Sequence, residues 1–164
     1  MEKLMQIEKI QIPLPLPITK FVMSVGCDPG SVHMGIAVIE GYLNNPYAIL
    51  YQIKMKRSND PIERMKLAQE IMEQCVFWYH MPMVATIEGS AFSATYRQTE
   101  LAEIRAAVAL WLVGKGFPTK IVNPGTIRKA VLGNGKLLPH EVWTDLKDVP
   151  DAAQALCCAY LPML

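Results

Sequence analysis

Phe21-Val22-Met23-Ser24-Val25-Gly26-Cys27-Asp28, then Pro29-Gly30-Ser31-Val32, then His33-Met34-Gly35-Ile36-Ala37-Val38-Ile39-Glu40 is the stretch whose reading decides the fold. Two apolar runs of strand length flank a Pro-Gly turn, which reads as an antiparallel pair. A third run, 47–55, follows across 41–46, where Asn44-Asn45 again supplies turn chemistry, so the three runs form a meander. The first run ends on a carboxylate, a group expensive to bury and rarely left unpaired. A glycine in the next strand, Gly35, marks close approach of another backbone or a ligand.

The same placement recurs further along. Glu88 closes the apolar run Met83-Val84-Ala85-Thr86-Ile87, and the small residues Gly89, Ser90, Ala91 and Ser93 leave room around it. Asp151 opens Ala152-Ala153-Gln154-Ala155-Leu156, with Asp148 three residues earlier. Either aspartate also suits ordinary capping of a helix N-terminus. If the first and fourth strands lie side by side, Asp28 and Glu88 converge, and a helix starting near Asp151 adds a third carboxylate. Such a cluster repels itself unless a hard divalent cation sits within it.

Between these points the helices are legible from their spacing. Asp60-Pro61-Ile62-Glu63 reads as a helix start, with Asp60 as N-cap, Pro61 at the first helical position and Glu63 completing a capping box. Ile62, Met65, Ala68, Met72 and Cys75 mark its apolar face, to about His80. A long helix over about 94–113 carries Leu101, Ile104, Val108, Trp111 and Leu112 at helical spacing and ends at Gly114 and Gly116. A short strand over 119–122 leads into Asn123-Pro124-Gly125-Thr126 and a helical turn or two through Leu132, broken by Gly133-Asn134-Gly135. A short segment at 139–146 precedes a last helix over about 149–161. The order is that of an α/β domain with a mixed five-stranded sheet, an antiparallel meander plus two parallel strands, flanked by helices. Residues 1–20 carry Pro13, Pro15 and Pro17, which exclude a helix or a central strand, so they read as an extended leader before a domain over 21–164.

Composition excludes several classes. With 164 residues, 51% of them hydrophobic, the chain has ample core for one domain and is neither disordered nor fibrous. No apolar run approaches the ~20 residues of a membrane span, and Glu2 and Glu8 interrupt any signal-peptide pattern. Cys27, Cys75, Cys157 and Cys158 lack zinc spacing and sit in apolar segments, which points to free buried thiols in a reducing, cytoplasmic compartment. A net charge of +1 does not announce a nucleic-acid binder, so local arrangement must carry that case. Lys115, Lys120, Arg128, Lys129 and Lys136 form the densest basic stretch, a solvated face or a phosphate-contacting patch.

Val25-Gly26-Cys27-Asp28-Pro29-Gly30-Ser31 with Gly35, Ile87-Glu88, the helix bearing 98–107, Ile127-Arg128-Lys129-Ala130-Val131-Leu132-Gly133-Asn134-Gly135 and Asp148-x-x-Asp151-Ala152 occur in one order. In that order the chain resembles the RuvC family of Holliday-junction resolvases, in the RNase H-like nuclease superfamily, from about residue 22 onward. The resemblance implies an RNase H-like fold, with Asp28, Glu88 and Asp151 as catalytic metal-binding carboxylates and Asp148 at the fourth acidic position. It implies Mg²⁺ as cofactor, with Mn²⁺ substituting, two-metal hydrolysis of phosphodiester bonds, and a homodimer that nicks four-way DNA junctions. Arg128 falls at a basic position facing DNA; Lys129 and Lys136 in the same segment, and Tyr96-Arg97 near the carboxylates, are further DNA-contact candidates. Phe92 is either a base wedge or a core residue.

Three departures accompany the resemblance. The leader has no counterpart, the segment between Gly135 and Asp148 is only about a dozen residues long, and Pro139 stands where the family has a lysine, leaving Lys136 as its substitute. The compact form suits a divergent member, from a bacterium, virus or mobile element. Other readings are an RNase H-like nuclease on RNA or RNA–DNA hybrids and a catalytically silent RNase H-fold nucleic-acid-binding protein. An actin-like ATPase would need two such domains and a second glycine motif.

Overall fold

The computed structural model describes residues 5–76, 83–90 and 97–164. In chain order the strands are β1 (Met5–Pro13), β2 (Ser24–Asp28), β3 (His33–Tyr42), β4 (Asn45–Met55), β5 (Val84–Glu88) and β6 (Thr119–Val122). The helices are α1 (Pro61–Val76), α2 (Gln98–Gly114), α3 (Pro124–Leu132), α4 (Pro139–Val142) and α5 (Pro150–Tyr160), with single 3₁₀ turns at Thr144–Leu146 and Leu161–Met163. All six strands join one sheet in the order β1-β4-β3-β2-β5-β6. The pairs β1–β4, β4–β3 and β3–β2 are antiparallel, and β2–β5 and β5–β6 are parallel.

The sheet thus has six strands where the sequence reading gives five. The extra one is the leader, whose residues 5–13 pair along β4 as an edge strand. Its apolar residues hide the strand period: Met5 and Ile7 pack toward one face of the sheet, Ile10 and Ile12 toward the other. Proline is tolerated because Pro13 ends an edge strand and Pro15 and Pro17 follow it. Beyond it Leu14, Leu16 and Ile18 continue onto the core, and the Tyr160 hydroxyl accepts from the Leu16 N–H (3.0 Å) and donates to its carbonyl (3.2 Å).

Strict alternation in β2 to β5 separates two cores. Val25, Cys27, Met34, Ile36, Ile53 and Ile87 face α1 and α2, whereas Ala37, Ile39, Ala48 and Leu50 face α5. Helix α5 is buried on all sides from Ala152 to Tyr160, so it runs as a central helix against the sheet. Small residues permit this. A Cβ on Gly26 would lie 1.9 Å from the Ala155 carbonyl oxygen and one on Gly35 would lie 2.0 Å from that of Asp151, so the helix backbone rests directly on both glycines.

At the start of α1, Asp60 Oδ1 accepts from the Ile62 N–H (2.8 Å), as an N-cap does. The capping box is not closed: Glu63 accepts from the Ser58 hydroxyl (2.6 Å), which in turn accepts from the Asp60 N–H (3.1 Å), so a serine relays the contact. All four cysteines are free and buried, and burial pushes the Cys75 and Cys157 thiols up to about 12. Among the described residues no helix is long and apolar enough to cross a membrane.

Candidate active site

One row of residues crosses the sheet on the α5 side. Glu8 on β1 pairs with Gln52 on β4, Gln52 with Gly35 on β3, and Gly35 with Asp28 on β2. Cys27 pairs with Ile87, which sets Glu88 beside Asp28. Directly paired residues point to the same face, so the row reads Glu8, Gln52, a gap at Gly35, Asp28 and Glu88. The first turn of α5, with Asp151, drops into the gap that Gly35 leaves.

The Asp28 and Glu88 carboxyls hydrogen-bond to each other. Burial, then the charges of Glu88 and Asp151, hold Asp28 well above the usual carboxylate range, with Arg128 pulling the other way. Burial also raises Glu88, against the Asp28 hydrogen bond and the charges of Arg128 and Arg105. Two adjoining carboxylates cannot both ionise cheaply, so each raises the cost of charging the other. Glu88 Oε2 is buried without a hydrogen-bond partner.

Two arginines bracket the pair. Arg105 on α2 donates from Nε to the Glu88 carbonyl (3.0 Å) and from Nη1 to the Ser90 hydroxyl (3.2 Å), fixing the chain where β5 ends. Arg128 on α3 donates from Nε to the Gly135 carbonyl (2.9 Å), so it ties down the 133–135 turn while its charge reaches the carboxyls. Asn123 links the same regions, donating to the Ser90 carbonyl (2.9 Å) and capping α3 by accepting from the Gly125 N–H (2.9 Å).

Asp151 is held from the opposite side. Gln52 Nε2 donates to Asp151 Oδ2 (2.5 Å), and Gln52 Oε1 accepts from the Ala152 N–H (3.0 Å). Beside it opens a cavity of about 370 Å³ lined by Gln6, Glu8, His33, Gln52, Lys54, Asp148, Pro150 and Asp151. Of the three expected carboxylates, then, Asp28 and Glu88 touch, and Asp151 stands near enough for its charge to act on both. Among the described residues no group of three His, Cys, Asp or Glu side chains closes into a metal cage. The donor chemistry still fits a hard divalent cation: oxygen ligands only, two adjoining buried carboxylates and a buried carboxylate oxygen without a partner.

The remaining sequence candidates divide. Asp148 is exposed on the cavity wall, where His33 rather than His140 accompanies it. Lys129 and Lys136 are exposed, and the Lys136 N–H is held by Asn134 Oδ1 (2.9 Å). Arg97 caps α2 in a left-handed conformation, φ 55°. Lys115 is engaged elsewhere. It lies at the far end of α2, roughly 25 Å along the helix from Gln98, near Glu73 (3.9 Å) and over the Trp111 ring. Phe92, Tyr96, Ala91, Ser93 and His80 lie outside the described residues. Sequence reading missed Gln52 and Arg105. The only signal for Gln52 was a polar residue inside the apolar run Ile49-Leu50-Tyr51-Gln52-Ile53.

The model of the family described as Crossover junction endodeoxyribonuclease RuvC matches residues 24–154. Among solved structures, RuvC of Thermus thermophilus superposes with a TM-score of 0.60 at 18% identity, over 86% of this chain and 96% of that one. T. thermophilus RuvC in complex with a Holliday junction substrate gives a TM-score of 0.58 at 16% identity, over 87% and 96%. At such identities the likeness is one of fold. No curated protein sequence matches the chain.

Proposed function

The chain belongs to the RuvC family, and on that premise we propose that it is a divalent-metal-dependent endodeoxyribonuclease that cuts four-way junctions or other branched DNA. The observation that carries the reading is the juxtaposed, buried Asp28–Glu88 pair at the carboxyl ends of β2 and β5, with Asp151 on the α5 turn beside it. A fold has no structural need for two adjoining carboxylates where desolvation penalises both, with a third carboxylate close by, whereas a cation site does.

Asp28 and Glu88 would hold the cation, with Asp151 the third ligand and Asp148 the outermost. Mg²⁺, or Mn²⁺ in its place, supplies charge neutralisation at the scissile phosphate and a more acidic attacking water. The chain does the rest. Arg105 and Ser90 fix the end of β5 and so aim Glu88. Arg128 offsets the acidic charge that would otherwise repel a phosphate. Lys129 and Lys136, exposed beyond it, supply contacts to the DNA backbone. A two-fold junction calls for two such sites related by two-fold symmetry, hence a homodimer.

The test offers the protein four-way junctions, flaps, duplex DNA and RNA–DNA hybrids with Mg²⁺, Mn²⁺ or EDTA. Metal-dependent nicking of branched DNA is expected. Cutting confined to the hybrid would move the protein to ribonuclease H chemistry, and binding without cutting in any metal would make it a silent relative.

A further inference from the structure

Gln52 lies on β4, roughly a hundred residues in sequence from the groups it holds, and both ends of its amide are used. The Ala152 N–H is a donor only, so the amide oxygen must face it and the amide nitrogen must face the Asp151 carboxylate. This settles which end of the side chain points where. The contact also serves the helix: Val149, at the N-cap of α5, contributes no side-chain hydrogen bond, and Gln52 satisfies one of the first-turn N–H groups from across the sheet.

The position follows from the sheet register. Gln52 and Asp28 flank Gly35 on its two neighbouring strands, and the α5 turn sits over the glycine between them. Asp151 is therefore gripped on the side away from the Asp28–Glu88 pair. Its Oδ2 is tied to Gln52, which leaves Oδ1 as the oxygen to offer a cation. Edge strand β1, which lies outside the family match, pairs Glu8 with Gln52 in the sheet.

We infer that Gln52 is a positioning residue for the metal site: it presets the Asp151 carboxylate, and through it the affinity for the divalent cation. The inference rests on the metal-dependent nuclease reading. Groups that orient a ligand in this way are typically worth about 10- to 100-fold in metal affinity.

Mn²⁺ binding to the DNA-free protein, followed by electron paramagnetic resonance or calorimetry, is the direct readout. Gln52→Met keeps the length and removes both hydrogen bonds; Gln52→Asn keeps the amide but is one methylene too short to reach both partners, and serves if the first variant does not fold. Each folded variant is expected to bind Mn²⁺ about 10- to 100-fold more weakly. Cleavage should then recover to within a few-fold of the parent as Mn²⁺ is raised, which general damage to the fold would not allow. Parent-like Mn²⁺ titration in a folded variant, or a cleavage loss that saturating Mn²⁺ does not repair, overturns the role of Gln52. Asp28→Asn separates the two levels: if it weakens Mn²⁺ binding while the Gln52 variants do not, only the positioning role falls. If Asp28→Asn binds Mn²⁺ as the parent does, the metal reading itself falls.

Discussion

Asp28 is buried beside two other carboxylates, and the consequences can be measured with and without metal. Burial and its two acidic neighbours raise its pKa in the folded state, so the folded chain keeps a proton that the unfolded chain has already lost. Linkage then fixes the sign: in EDTA, the contribution of Asp28 to stability is fully present below the ordinary carboxylate range and is lost as pH rises through the raised value. Asp28→Asn should remove most of that slope and stabilise the metal-free protein at neutral pH, as read from urea midpoints at about pH 5 and pH 8. The same substitution, and Glu88→Gln, should abolish cutting while leaving binding to branched DNA intact or tighter, because a charge that repels phosphate is gone. Near-parental cutting by either variant would remove that residue from the site. Asp148→Asn should be milder than Asp151→Asn, since Asp148 is exposed on the cavity wall. The carboxylates were legible in the sequence because each ends or opens an apolar run. Gln52 and Arg105 were not, because their roles depend on which strand lies next to β4 and which side of α2 faces β5.

At the level of elements, the site depends on how closely α5 approaches the sheet. Gly26 and Gly35 allow backbone contact, and small residues in α5, such as Ala155 and Ala159, meet them. Gly26→Ala drives a methyl into the Ala155 carbonyl and should cost at least the ~1–3 kcal/mol usual for overpacking, seen as a lower urea midpoint. Gly35→Ala pushes on the turn that carries Asp151, and should reduce cutting more than Gly26→Ala does at equal loss of stability. Equal activity losses at matched stability would mean that the turn relaxes without moving the carboxylate. The meander, the two parallel strands and the last helix were all readable from period and turn chemistry, though not that this helix is buried on every side. The sixth strand was not, because the apolar residues of β1 change face between Ile7 and Ile10 and three prolines follow closely, so local pattern pointed away from a strand that pairing with β4 nevertheless forms.

For the whole molecule, net charge gives DNA little general attraction, so binding must come from where the cations sit. Lys136→Ala should weaken all branched substrates alike and lower the salt slope by about one unit, whereas Lys115→Ala, at the far end of α2, should leave the slope unchanged. An unchanged slope for Lys136→Ala would assign that lysine to solvent. The remaining surface bears on assembly. Trp111 is not a free anchor for a partner: its indole donates to Glu73 (2.8 Å) and joins α2 to α1. The outer face of α2 is different. Thr99, Ala102, Ala106, Leu110 and Val113 form one exposed stripe at helical spacing, with Leu110 69% and Val113 59% exposed. Small residues followed by two branched apolar ones suit a helix packing closely on its own symmetry mate, so this stripe is the expected dimer face. Leu110→Glu would place a carboxylate against its copy at a two-fold contact. It should convert a dimer to a monomer by light scattering at micromolar concentration, with the urea midpoint of the monomer little changed. Paired nicking of a four-way junction should then drop to single nicks, while the Mn²⁺ affinity of each subunit stays at the parent value. A parent protein that is monomeric alone and on junction DNA would remove the dimer, and a dimer unaffected by Leu110→Glu would place its interface elsewhere.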